Sequence, residues 1–492
     1  MAESVFVTAF VTALATTFRT TLAALAALGV CLLAPGAARA DGAFPDAQTI
    51  LTPADTPGEI VLVTNFGLIQ SEDAGATWLW ACEQSANAFG AFYQLGLPPR
   101  RRLYTVANRQ VMFSDDRSCG WSAAGGLVPD PGAGVSDVWV DRTVVDRVLA
   151  VNVTCCDAGE RIHSVLESLD GGDTFDTLLY AADRGATITG VESARSDPRT
   201  IYVTLTGAPP DGAAPPPILA HTIDGGLHWS AVDLTGQVGA GVVRLVAVDP
   251  ENPRKVLLLW NGAGSQALVM TTDAGVSASK TLVPTGLIKA FLRLTSGTML
   301  VATDADATAG LFRSRDGGAR FDAVPGSPHV RALSERAGRV YAATDNFADG
   351  YAVGVSTDEG STWSPLLSYQ DVRAIVPCLK AACQTTCDAE VQLALWSKDV
   401  CSADPPPIAG GAGGAAVGGL DGGASGATGA TAGGGAAGHG IGVGGAAGGA
   451  ALGGTPRGCG CSVAPAGAPI ALLAVGTALA GLGVGARRRR RR

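Results

Sequence analysis

One eight-residue pattern, Ser/Thr-x-Asp-x-Gly-x-Thr-Trp, recurs through this chain and limits its fold more than any other feature. It is intact at Ser71-Asp73-Gly75-Thr77-Trp78 and at Ser356-Asp358-Gly360-Thr362-Trp363. Ser168-Asp170-Gly172-Thr174-Phe175 changes only the aromatic, and Thr222-Asp224-Gly226-His228-Trp229 and Ser314-Asp316-Gly318-Arg320-Phe321 are close variants. Two copies are degenerate: Ser114-Asp116-Ser118-Gly120-Trp121 lacks the central glycine, and Thr271-Asp273-Gly275-Ser277-Ala278 lacks the aromatic. The seven aspartates stand 43, 54, 54, 49, 43 and 42 residues apart. Near-constant spacing of this size is the mark of a repeat architecture.

The chemistry of the pattern is that of a turn. Asp and Ser/Thr side chains hydrogen-bond nearby backbone, and glycine supplies the positive φ that a tight turn needs. Short β-branched runs flank the copies, among them Ile60-Val61-Leu62-Val63, Ile201-Tyr202-Val203-Thr204-Leu205 and Val256-Leu257-Leu258-Leu259-Trp260. They read as strands, and helical signals are nearly absent before residue 370. About four strands in ~48 residues is the size of a propeller blade. The reading is an all-β, seven-bladed propeller over residues 44–377, with six or eight blades open if a degenerate blade is miscounted. Ring closure is expected from mixed terminal strands, with residues 371–376 beside Ala47 to Leu51.

The motif resembles the Asp-box (BNR) repeat of sialidases, sortilin-type receptors and photosystem assembly factors. That resemblance implies a propeller in which the boxes, Asp73, Asp116, Asp170, Asp224, Asp273, Asp316 and Asp358, are structural. It also implies that a sialidase-like activity would need an arginine triad, a Tyr–Glu pair and an acidic aspartate elsewhere. No Phe/Tyr-Arg-Ile-Pro phrase precedes the first box, and no Tyr–Glu pair stands out. Arg161, Arg195, Arg254, Arg293 and Arg331 are candidates for a central funnel, but surface positions are the safer reading and no three of them align to a triad. Asp197 and Asp249 sit in similar phrases and read as turn residues. Asp304-Ala305-Asp306 lacks the rest of a calcium loop, and the Gly-x-Gly-x-x-Gly string at 440–445 has no strand before it or helix after it.

The two ends read as addresses. Residues 1–40 resemble an export signal: Arg19 precedes the apolar run Leu22 to Ala34, Pro35-Gly36 breaks it, and Ala38-Arg39-Ala40 suits cleavage before Asp41. At the other end, Cys459-Gly460-Cys461 is followed by an apolar stretch, 463–486, and six arginines. At 1.5 Å per residue that stretch is long enough to span a membrane as a helix, and the arginines would remain cytoplasmic. The three parts in order (residues 458–492) resemble the MYXO-CTERM sorting tail of myxobacterial surface proteins. The resemblance implies processing near Cys459 or Cys461 by a sorting protease; an ordinary single-span anchor is the alternative. Between body and tail, residues 402–457 read as a tether. The stretch from Ala409 to Gly454 holds 22 glycines and 14 alanines, too little apolar surface to offset backbone entropy.

Eleven cysteines in an exported chain suggest disulfides. Cys82 and Cys119 occupy comparable blade positions and are expected to link neighbouring blades. Cys155 and Cys156 are adjacent and are expected in disulfides, either one vicinal bond or bonds to separate partners. Cys378, Cys383, Cys387 and Cys401 mark a small cap over 378–401, partly helical, with three internal connectivities open and a zinc site as the competing reading.

Composition narrows function by exclusion. Without the leader and the terminal arginines the chain has 27 basic and 43 acidic residues, which argues against binding a nucleic-acid backbone. Only five histidines are present, and neither Gly-x-Ser-x-Gly nor His-Glu-x-x-His occurs. No cofactor is expected. The sequence supports an exported, surface-tethered propeller that binds a glycan or a protein without catalysis. A surface glycoside hydrolase and an envelope assembly factor are the alternatives.

Overall fold

In the computed structural model, residues 45–85, 92–127, 134–155, 161–207, 213–305, 308–404 and 439–440 are described. Seven antiparallel sheets follow one another along the chain. They span residues 47–82 (blade 1), 93–123, 134–181, 187–233, 242–282, 287–324 and 330–367 (blade 7). Each blade holds four sequential strands, so the chain forms a seven-bladed β-propeller.

Burial follows strand position. The second strands Ile60–Thr64 and Ile201–Thr206 are buried at every residue, because neighbouring blades cover both of their faces. Such strands read as continuous apolar runs rather than alternating ones. The outermost strands face water, as the mainly exposed Thr177–Ala181 illustrates. The tandem motif always falls between the third and fourth strands, as between Gly67–Ser71 and Trp78–Cys82. Four-stranded antiparallel topology puts these turns at the same end of each blade as the turns between strands one and two. Backbone bonds join the two sets, among them Gly171 N–H to Asp146 O (2.7 Å) and Gly225 N–H to Arg199 O (3.0 Å).

Closure of the ring departs from the sequence expectation. The strand Val372–Ile375 does not lie beside Ala47–Leu51; it pairs in parallel with Trp78–Cys82, matching Val372 to Trp78 and Ile375 to Trp80. Blade 1 already has four strands from its own segment, and its inner edge, Ala47–Leu51, borders the channel. The ladder edge left for the returning chain is the outer one. The chain then turns into helix Lys380–Gln392 and the short helix Asp399–Ser402. Trp396 packs against Trp80 (ring centroids 5.0 Å) and Phe66 (6.0 Å), and Tyr369 meets Phe66 edge-on at 5.1 Å. Cap, blade 1, blade 7 and part of blade 2 therefore share one apolar cluster.

The cysteine pairings are also corrected. Cys82 bonds Cys383 and Cys119 bonds Cys378, so neither joins blade 1 directly to blade 2. Cys387–Cys401 is the one bond within the cap. The physical reason is the fifth strand: it lays residues 377–383 across the outer edges of the first two blades. Cys383 and Cys387 share a buried helix face but serve different partners.

A two-residue strand, His439–Gly440, pairs antiparallel with the inner strand Leu287–Arg293 of blade 6. Among the described residues no helix is long and apolar enough to cross a membrane. The stretch 463–486, the leader, Cys156, Cys459, Cys461, Asp306 and the side chain of Cys155 lie outside the described residues.

Candidate functional site

All seven tandem motifs form the same hydrogen-bonded turn. In the first, Ser71 Oγ donates to Asp73 Oδ1 (2.9 Å) and accepts the Gly75 N–H (2.8 Å), while Asp73 Oδ1 accepts the Thr77 N–H (2.8 Å). The degenerate copies match it. Ser118 N–H donates to Ser114 Oγ (2.9 Å) and Gly120 N–H to Asp116 Oδ1 (2.7 Å), with Ser118 taking the left-handed φ of +79°. Gly275 N–H donates to Thr271 Oγ1 (2.8 Å) and Ser277 N–H to Asp273 Oδ1 (2.8 Å). The Asp170, Asp224, Asp316 and Asp358 carboxylates accept the N–H four residues on, at 2.8–3.0 Å. The aromatic closes the turn onto the sheet: Trp229 Nε1 donates to Leu179 O of the preceding blade (2.9 Å) and to Gly226 O (3.1 Å). Each aspartate is committed to its own turn.

The turns make acid sensitivity predictable. The Thr362 hydroxyl and N–H hold Asp358 down at about 2. Burial works upward on Asp170, but the Thr174 N–H and the Ser168 and Thr174 hydroxyls outweigh it and hold it also at about 2. A depressed carboxylate contributes stability above its unfolded pKa and loses it as pH falls through the folded one. The denaturation midpoint should therefore hold down to about pH 4 and fall between there and about pH 2. A midpoint that begins to fall near pH 6 would place the acid sensitivity on other groups.

At the same end of the ring lie the turns that follow the inner strands. Five superpose in hydrogen bonding: the N–H of Gly96, Asp141, Ala194, Asp249 and Leu294 each donates across its turn, at 2.8–3.1 Å, to Arg102, Arg147, Thr200, Lys255 and Thr298 O respectively. Asp249 thus matches Ala194 rather than Asp197. Five carboxylates are buried around this end of the ring: Glu59 is held by Arg101 (2.6 Å) and the Thr56 hydroxyl (3.0 Å), and the other four serve the backbone. Asp141 Oδ1 accepts from Thr143 N–H and Val144 N–H (both 2.8 Å), and its Oδ2 accepts from Ser193 Oγ (2.7 Å). Glu192 accepts Val248 N–H (3.0 Å), Asp249 accepts Glu251 N–H (3.0 Å) and Glu335 accepts Thr295 N–H (2.7 Å).

The cations next to them differ. Arg142 and Arg195 follow Asp141 and Ala194, so they hold the same position on adjacent blades. Both are half-buried. Arg142 donates to Leu95 O (3.1 Å) and lies 5.7 Å from the centre of the Trp139 ring. Among the described residues, the Arg195 guanidinium has no hydrogen bond or salt bridge. Burial, with the nearby Arg195 charge, lowers Arg142 to about 10; burial lowers Arg195 as well, against the pull of Glu192 and Asp141. Two partly desolvated positive groups stand side by side, with Glu192 and Asp141 within electrostatic reach of both.

The arginines suggested by sequence do not converge. Arg161 is exposed at the opposite end of blade 3, and Arg254 is exposed in its turn. Arg293 is paired with Asp249 (3.6 Å) and Glu251 (3.1 Å), and Arg331 with Asp46 (3.1 Å) and Asp345 (3.0 Å). Only Arg195 belongs to the pair, and sequence reasoning missed Arg142. The available signal was the alignment of Val140-Asp141-Arg142 with Ser193-Ala194-Arg195 at the ends of successive inner strands. Asp304 accepts Leu287 N–H (2.7 Å) and pairs with Lys289 (2.7 Å). A cleft between blades 2 and 3 is occupied by the protein's own ion pairs, Arg147 with Asp141 (3.2 Å) and Arg100 with Asp146 (3.8 Å). On the other face, burial raises Asp46 above the usual carboxylate range, with Arg331 pulling against it. Among the described residues no cluster of His, Cys, Asp and Glu is arranged to hold a metal ion.

No protein-family model matches the chain, and no curated protein matches it. Solved structures do. The xyloglucanase of glycoside hydrolase family 74 from Xanthomonas campestris is 14% identical, with 68% of this chain and 59% of that one covered at a TM-score of 0.36. YCF48 from Cyanidioschyzon merolae is 11% identical, covering 61% and 92% at 0.40. A puromycin-hydrolysing peptidase of Mycobacterium tuberculosis is 11% identical, covering 68% and 55% at 0.46. The chain spans little more than half the length of the first and third. At these identities the likeness is one of fold.

Proposed function

We propose that this chain is an exported, cell-surface-tethered β-propeller that binds a ligand on its Asp-box face without performing catalysis. The observation that carries the reading is the division of labour at the inner strand ends. There the buried carboxylates Asp141, Glu192, Asp249 and Glu335 are taken up by backbone N–H groups, whereas among the described residues Arg142 and Arg195 keep donors free. General acid–base catalysis needs a titrating acid or base within reach of a substrate proton. A pair of guanidiniums supplies charge and directed donors instead. The surface address rests on the two terminal segments, with a sorting protease and the membrane as the partners they imply.

The test is to incubate the full-length protein with a panel of polysaccharides, sialylated glycans and peptides, and to measure retention and released products by mass spectrometry. Retention without products is the expected result. Released sugars, abolished by Asp46→Asn, would overturn it in favour of the glycoside hydrolase alternative, which the raised pKa of Asp46 favours. An envelope assembly factor remains the third reading.

A further inference from the structure

The outer turns of the Asp-box face are not alike around the ring. The second position of the motif carries Glu72, Asp115, Arg315 and Thr357 on blades 1, 2, 6 and 7, but Leu169 and Ile223 on blades 3 and 4. The residue after the motif glycine is Leu227 on blade 4 and Val276 on blade 5, and alanine, cysteine, aspartate or serine elsewhere. These four aliphatic side chains are exposed: Leu169 65%, Ile223 67%, Leu227 78% and Val276 72%. Apolar residues grouped on a surface mark a binding site more often than single ones do. They lie on the same face and around the same blades as Arg142 and Arg195.

We infer that the Asp-box face of blades 3 to 5 docks an acidic, aliphatic-rich peptide segment of a partner protein, its carboxylate held between Arg142 and Arg195 and its apolar side chains resting on Leu169, Ile223, Leu227 and Val276. The inference rests on the non-catalytic binding reading and names its ligand class. Charge complementarity selects the occupant. Each guanidinium carries five N–H donors, and the planar fork suits a carboxylate. Among the described residues, the Arg142 guanidinium makes one hydrogen bond and that of Arg195 makes none. The rim argues for peptide over sugar, because it offers branched aliphatic chains, while the motif aromatics Phe175 and Trp229 are turned onto the sheet, buried and half-buried. Spacing sets the ligand's length. The inner and outer turns of one blade are two ladder spacings apart, roughly 10 Å, which about three residues of extended peptide would cover.

The experiment uses the full-length protein and a hexapeptide blocked at both ends, with two glutamates, two serines and two leucines in that order. Its comparison is the same peptide with glutamines in place of the glutamates. Fluorescence anisotropy should give saturable binding of the acidic peptide, at least tenfold tighter than the neutral one and weakened by salt. Arg142→Gln and Arg195→Gln should each weaken the acidic peptide by about tenfold and leave the neutral one unchanged. Leu227→Ser should weaken both peptides alike. Thermal midpoints of the variants would exclude loss of fold. Equal affinity for the two peptides, no effect of Arg195→Gln, or no binding of the acidic peptide to the unaltered protein would each overturn the inference. So would trigalacturonate binding at least as tightly, since it would assign the arginine pair to an acidic glycan. None of these results touches the absence of catalysis; only product release in the panel above does.

Discussion

Removing the bond between Cys82 and Cys383, by replacing both with alanine, should lower the unfolding free energy by about 2–5 kcal/mol. The loop this bond closes has a sequence separation of 301 residues, and that of Cys119–Cys378 is 259. Cross-links that close long loops restrict the unfolded chain most in the chain-entropy account. The ring also depends on them in a specific way. Its first and last blades are each built from a continuous stretch of sequence, so no shared four-stranded sheet joins the two ends. The strand Val372–Ile375 on the outer edge of blade 1, the Trp80–Trp396 contact and the two long-range bonds perform that joining, beside direct polar contacts of blade 7 with blade 1 such as Arg331–Asp46 (3.1 Å) and Thr52–Ser334 (2.6 Å). With both bonds removed, urea unfolding should lose its single transition as blades 1 and 7 separate before the rest. Coincident midpoints for the oxidised and reduced protein would show that packing alone closes the ring.

The second large effect is expected at Asp141. Its side chain is 1% exposed, binds two backbone N–H groups and two hydroxyls, and lies 3.2 Å from the buried Arg147. Asp141→Ala leaves those donors without an acceptor and removes one of the two carboxylates beside Arg147, the other being Glu167 at 2.7 Å. Loss of one partner in a buried polar network costs about 3–5 kcal/mol. Asp141→Asn keeps an acceptor for the turn but gives up the charge, and should fall between the two. Both variants should also move Arg142, whose backbone is fixed by this turn. Peptide affinity should therefore fall further than stability alone explains when the assay is run well below the unfolding midpoint. Equal denaturation midpoints for Asp141→Ala and the unaltered protein would show that water replaces the carboxylate.

The parts of this molecule that were legible in its sequence are those set by neighbours along the chain. The motif turns depend on hydrogen bonds between residues two and four apart, so even the copy at Asp116, with serine in place of glycine, announced its position. The fully apolar runs identified the second strands for the same reason: burial on both faces removes alternation. Long-range facts were less visible. The spacing of Cys82, Cys119, Cys378 and Cys383 is compatible with several pairings. The observed one follows from a parallel strand whose edge preference no local pattern records. Arg142 was missed because an Asp-Arg dipeptide in a turn is unremarkable until its hydrogen-bond register is laid beside that of Arg195 on the next blade.

The cap has a mechanical consequence. The Cys387–Cys401 bond ties its far end to its helix; that helix is bonded through Cys383 to blade 1, and the turn just before it through Cys378 to blade 2. Tension applied to the chain beyond residue 401 would thus reach the ring through sulfur bridges on its first two blades. It would not be applied to the hydrogen bonds of the last blade, which would otherwise peel one strand at a time. A ring pulled from its C-terminal side would therefore be loaded as a closed unit.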